Sequence, residues 1–488
     1  MLMKTKFLNA MVWVTALFFA ACSSKGDYTC AIPSDAALVA SADVQQLVEK
    51  SGITGEEGKV LTDQLMKSVR SDVSEQEVAM IEKILADPAE SGLDFREKVY
   101  AFMVSDMEYA AVLAAVDNRD KVTEMVNMLA GHEVCEPVAE EADYSYTTVD
   151  RKSLLAYNET AFLLLNGGSK FDTEELKAKA AALLANEKAN SFISTDKFDK
   201  MQKAKGDIAL SFSLDCLPRE ELKLLQMNMP QGVDPKDVTA VSALHFEKGK
   251  VLLDVETLYN PEIKDMIAQQ EKVYGDKLKG KFLEKFPKES MTYLACSVNG
   301  EEAYKVIMQN EMVKRELRNA RLPFDLEKVL KSLNGEMAFA MAAGKSMIPQ
   351  FGIYAEVAND DILKEMNPFK QMLAAAGMEY GVKDDVFYVS NIKEGSLEST
   401  LDDCDWAGDS KGKLTYFVSD FQAVADFVRL GMNPSQAASL NMVANTLKVF
   451  TGYSEDVTHF HAALTMVDTK TNSLKQFVDI AKKMNAAN

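Results

Sequence analysis

The sequence predicts an α+β protein made of two tandem related halves, each a mainly antiparallel sheet with helices packed on one side. Three observations predict it. Blocks of the first half recur in order in the second, short strand-like runs are joined by polar turns, and helix-like stretches fall between the hairpins.

The first element is a leader, residues 1–21. Lys4 and Lys6 precede a run from Phe7 to Ala21 that is apolar apart from Asn9 and Thr15. It falls short of the roughly 20 residues that a permanent helical span needs, and suits the apolar region of a signal peptide. It ends in Phe19-Ala20-Ala21-Cys22. Small residues let the chain lie extended in a peptidase groove, and the Cys22 thiol can then be joined to a diacylglycerol and palmitate. Residues 22–31 are expected to form a lipidated tether. Two or three acyl chains, at about 0.8 kcal/mol per buried methylene, anchor far better than one. The expected location is therefore a membrane of the bacterial envelope, with the folded part facing the periplasm or the cell surface.

The first α+β domain is expected over 32–270 and the second, shorter one over 286–488. IPSDAALVASADVQQLV from Ile32 is echoed by FPKESMTYLACSVNGEEAYKVI from Phe286. Each reads as a strand followed by a helix opening at an N-cap residue, Asp43 or Asn299. The strand pair and capped helix from Arg96 to Gly131 recur from Gly335 to Gly377, and the strand from Gly206 recurs from Gly412. Each half finishes with strands and a terminal helix. Strands are expected at Val99–Ser105, Ala110–Val116, Ala161–Leu165, Ile208–Leu214, Val251–Leu258 and Ala338–Ala343. Extra helical stretches are expected at 56–70, at 74–87 behind the Ser74/Glu77 capping box, and at 173–186. Between the halves, 271–285 reads as a Lys-rich linker helix.

Composition narrows the partners. The net charge is -20, so a polyphosphate is repelled and nucleic acid is excluded as a partner. Apart from Cys22, five cysteines remain without a CxxC pair. An odd number cannot form a complete disulfide framework. Cys216 and Cys296 read as small buried hydrophobes, while a bridge among Cys30, Cys135 and Cys404 stays open. No stretch after the leader is apolar for the roughly 18 residues that mark a span.

The Cys22 leader, the IPSDAALVASADVQQLVEKSGI opening, the turn Ser91-Gly92-Leu93-Asp94-Phe95 and the following VYAFM strand resemble an uncharacterised lipoprotein family of the Bacteroidota. That resemblance implies an outer-membrane lipoprotein with no assigned activity, and it carries over no catalytic residue.

The chemistry-bearing patterns are few. His459 and His461 share one face of a strand, since side chains alternate with period two, and could begin a zinc site if a third ligand came near. Asp403 and Asp405, in the run from Asp402 to Asp409, offer oxygen ligands but not the spacing of an EF-hand. A half-exposed strand face and a solvated acidic turn are the plainer readings. Gly167-Gly168-Ser169 lacks the rest of a nucleophile elbow. Lys272, Lys277, Lys279, Lys281, Lys285 and Lys288 could meet lipopolysaccharide phosphates, or form a solvated face. No catalytic residue, cofactor or metal is assigned. The expectation is a non-catalytic envelope lipoprotein presenting a binding surface to a protein or polymer. The alternatives are an envelope hydrolase with a fold-assembled acidic site, and a surface glycan-binding lipoprotein.

Overall fold

A computed structural model describes residues 27–487 apart from 54–83, 85–87, 105–108, 151, 168–171, 218–219, 223–228, 230–231, 321, 345–348, 394, 396, 430–439 and 442. The leader, Cys22, the stretches at 56–70 and most of 74–87, and Gly168-Ser169 lie outside the described residues. The fold mixes helices with extensive antiparallel sheet. Two compact units divide the chain. One holds it as far as Cys216 with Ala240–Lys248 and Thr471–Asn488, and the other holds Leu217–Thr239 with Gly249–Lys470.

The first unit contains β1 (Ala36–Ala42), β2 (Leu93–Asp94), β3 (Val99–Val104), β4 (Ala110–Val116), β5 (Ala139–Glu140), β6 (Ser145–Asp150), β7 (Ser153–Tyr157), β8 (Ala161–Asn166), β9 (Ile208–Ser213) and most of β10 (Val238–Glu247). Neighbours run β10–β9–β1–β3–β4–β8–β7–β6–β5, with β2 also on β4. Asp43 caps helix Val44–Ser51 through Gln46 N–H, and an Asp172/Glu175 capping box opens helix Thr173–Leu184. Helix Arg119–Gly131 buries Val122, Met125, Val126 and Leu129 against Leu93, Val116, Leu155 and Tyr157. The turn before it needs Gly92: its φ is +83°, and a Cβ there would lie 2.3 Å from the Asn118 carbonyl oxygen. Helix Ser473–Ala487 packs against Val44–Ser51.

The second unit contains β11 (Lys250–Tyr259), β12 (Ser290–Asn299), β13 (Leu333–Ala342), β14 (Gln350–Val357), β15 (Glu379–Lys383), β16 (Val386–Ser390), β17 (Thr415–Asp420), β18 (Leu447–Ser454) and β19 (His459–Met466). All pair antiparallel, in the order β11–β19–β18–β17–β12–β13–β14–β16–β15. Asn299 caps helix Gly300–Ile307 through Glu302 N–H. Tyr354 and Val357 lie three residues apart on β14 and so face opposite ways. Val357, Phe387 and Val389 pack under Ile362 and Leu373 of the following short helices. On the other face, Tyr293, Tyr354 and Tyr416 pack under loop residues Phe282, Phe286 and Leu401.

Residues 271–285 depart from the expected linker helix. Helix Lys264–Glu271 stops there, and the only helical turn that follows is a short one at Leu283–Lys285. Gly280 adopts a φ of +74°, and Leu278, Phe282 and Leu283 are buried in the core. The buried Glu336 carboxylate accepts the Lys279 and Lys281 backbone N–H groups at 2.8 and 2.9 Å. Burying Leu278, Phe282 and Leu283 against a sheet outweighs the helix propensity of the segment. Its lysines turn to local partners: Lys281 pairs with Glu356 and Lys277 donates to the Glu455 carbonyl. The five described cysteines are all free. Among the described residues, no helix is long and apolar enough to cross a membrane.

Candidate ligand cleft

Register places residues far apart in sequence on one line of the second unit's sheet. Asp254 of β11 lies beside His461 of β19, His461 beside Tyr453 of β18, and Tyr453 beside Tyr416 of β17. The line continues through Ala295 and Ala338 to Tyr354 and Tyr388. The loop after β16 carries Trp406 onto Tyr416.

The result is a row of stacked rings. Trp406 and Tyr416 have centroids 5.8 Å apart with planes at 24°, Tyr416 and Tyr453 6.2 Å at 12°, and Tyr453 and His461 5.0 Å at 28°. Tyr293 also packs on Trp406, with centroids 5.5 Å apart and planes at 31°. Such pairs contribute about 0.5–1.5 kcal/mol each beyond burial.

Trp406, Tyr416 and Tyr453 line an open cleft of about 1220 Å³. Its walls bring Lys250, Lys288, Lys411, Lys413 and Lys448 together with Glu289, Asp403, Asp405, Asp409, Asp420 and Asp426. Tyr416 is 2% exposed. Burial, and then the negative charge of Asp409, push its phenol well above the ordinary value. Among the described residues, no protein group hydrogen-bonds the Tyr416 hydroxyl, and the same holds for Tyr453. The Tyr416 hydroxyl opens to the solvent of the cleft, where a ligand can take the place of water at it.

The four acid and histidine candidates fall at opposite ends of the row. Asp403 and Asp405 flank the Trp406 end, where Asp403 accepts Thr400 N–H at 2.9 Å. The histidines occupy the other end, each turned to its own carboxylates. His461 Nδ1 lies 2.5 Å from Asp254 Oδ1, with Nε2 3.8 Å from Glu455. His459 Nδ1 lies 3.0 Å from Asp456, with Nε2 3.9 Å from Glu256. Burial would raise the Asp456 carboxyl, but hydrogen bonds from Thr458 and His459 outweigh it and hold the group well below the usual carboxylate range. Among the described residues, no three His, Cys, Asp or Glu side chains converge as metal ligands.

The shared face of His459 and His461 was legible from alternation. The ring row was not, because its members come from one loop and three strands whose register no local pattern sets.

No curated protein matches the chain. Among solved structures, it is similar to crystal form I of TP0453 at 12% identity and a TM-score of 0.29, over 51% of this chain and 87% of that one. Crystal form III of TP0453 gives 10% identity and a TM-score of 0.22, over 76% and 94% respectively. Likeness at these scores carries no argument about fold or function. A family model described as a domain of unknown function, DUF4836, matches residues 28–474, and the chain belongs to that family.

Proposed function

We propose that this is a lipid-anchored bacterial envelope lipoprotein, of the kind found in the Bacteroidota, that binds an envelope polymer without transforming it. The cleft of the second unit is its binding surface. The observation that carries the reading is the Tyr416 hydroxyl, which belongs to a buried residue, lines a large cleft and has no protein partner among the described residues. The anchor rests on the apolar leader ending at Cys22. Outer-membrane attachment through lipid on Cys22 leaves the folded part facing the periplasm or the cell surface.

Two related halves are also proposed. Support comes from strand order: β9–β1–β3–β4–β8–β7 in one unit and β17–β12–β13–β14–β16–β15 in the other follow the same succession. The equivalents Asp43 and Asn299 both cap the helix after the first strand. The corresponding strand of the first unit, β9, carries no tyrosine, so the aromatic row belongs to one copy. Duplication followed by specialisation of one half accounts for that difference.

A protein partner is the second reading. It is favoured by Leu294 and Phe460, which are 45% and 38% exposed on the sheet face opposite the ring row. Affinity purification of the lipidated protein from its native membrane separates the two. Polymer recovered with wild type and lost with a Tyr453→Ala variant supports the cleft. A stoichiometric protein lost with Leu294→Asp instead supports the other face. Turnover of a recovered polymer would replace both with a hydrolase.

A further inference from the structure

We infer that the cleft of the second unit takes an uncharged, hydroxyl-rich oligosaccharide several units long; this rests on reading the cleft as the binding surface. Charge comes first. The chain carries -20 overall, yet the cleft sets five lysines against six carboxylates. A polyanion would meet six carboxylates along with the five lysines, and a polycation the reverse, so neither finds a net charge attraction to offset its desolvation. A neutral polyol avoids both penalties. Each of its hydroxyls donates to a carboxylate or accepts from an ammonium group, and carries no charge to strip of water.

The wall chemistry agrees with this. The Tyr416 hydroxyl can both donate and accept, and Asp409 is the charge that acts on it most strongly. Asp405, Asp409 and Lys448 have no ion-pair partner among the described residues. Trp406 is half-buried at the rim. Its Tyr293 and Tyr416 neighbours fix its orientation, so little side-chain freedom is lost when a ligand packs beside it.

Size sets the length. Small-molecule pockets measure roughly 300–1,000 Å³, and this cleft, at about 1220 Å³, exceeds them while open to solvent. A single sugar would leave most of its polar walls unmet, whereas a chain running along the ring row reaches both ends.

Trp406 is the only tryptophan after the leader, so its fluorescence reports the cleft. The lipidated protein in detergent is titrated with maltoheptaose, cellohexaose, xylohexaose and chitohexaose, then with polyphosphate and with spermine, at low and high salt. The expected result is saturable change with at least one neutral oligosaccharide, little altered by salt. Tyr416→Phe and the surface variant Lys448→Ala should each weaken it, the former about tenfold. Saturation by polyphosphate or spermine alone, abolished by salt, would overturn the sugar assignment and leave the cleft standing. Silence with every probe would overturn both. Sugar binding unchanged in Tyr416→Phe and Lys448→Ala would overturn the assignment of the site.

Discussion

Lys413 holds its ammonium group 4.0 Å from the centroid of the Tyr453 ring and 2.9 Å from Glu455 Oε1. One cation thereby fixes the middle of the aromatic row and ties it to the carboxylate that also approaches His461. Replacing Lys413 by Gln should destabilise the protein by about 0.5–1 kcal/mol, the scale of a part-exposed cation–π contact. Urea denaturation measures that loss. Trp406 emission should shift as well, because the stack relaxes.

Asp207, 3% exposed, receives Lys50 Nζ at 2.7 Å and the Phe246 N–H at 2.6 Å. Asp207→Ala strands a lysine and a backbone donor, and should cost about 3–5 kcal/mol. Pairing it with Lys50→Met should recover part of the loss, read as a lower midpoint shift in a double-mutant cycle.

Acid stability should depend on Asp456. Its folded pKa is depressed below the ordinary 3.8, so the stability it contributes is fully present above that value. It is lost as pH falls further, toward the folded pKa. Asp456→Asn should lower the melting temperature at neutral pH and flatten its decline below about pH 4. A parallel decline in wild type and variant would contradict this.

Gly92→Ala should destabilise by more than about 1 kcal/mol, since both the +83° φ and the Asn118 carbonyl oppose a Cβ. Gly377 also has a positive φ, +68°, but open space around it, so Gly377→Ala should cost less. Thermal melts of the pair separate the crowding from the backbone strain.

Cys22→Ser should release the protein from the membrane fraction, and mass spectrometry of the wild-type N terminus should find an acylated cysteine. An unmodified Cys22 in a membrane-bound protein would count against the anchor.

Much of the local structure was legible. The strand expected at Ala110–Val116 has those bounds, the one at Ile208–Leu214 ends a residue earlier at Ser213, and Asp43 and Asn299 cap their helices. These features depend on alternation and short-range hydrogen bonds, which a few neighbouring residues settle. The linker helix failed because Leu278, Phe282 and Leu283 gain more by packing on a sheet than by coiling together. Nothing near residues 271–285 in sequence reveals that Glu336, more than fifty positions on, will bind their backbone.

The sequence by itself determined the acidic balance, the positions of strands and caps, and the common face of His459 and His461. Tertiary structure alone decided that Tyr416, Tyr453 and His461 would stand on one line under Trp406, that the two histidines would turn to separate carboxylates, and that helix Ser473–Ala487 would join the first unit. The physical reason is register. Alternation tells which way a side chain points along its own strand, while pairing between strands, set by the whole core, decides which neighbour it meets.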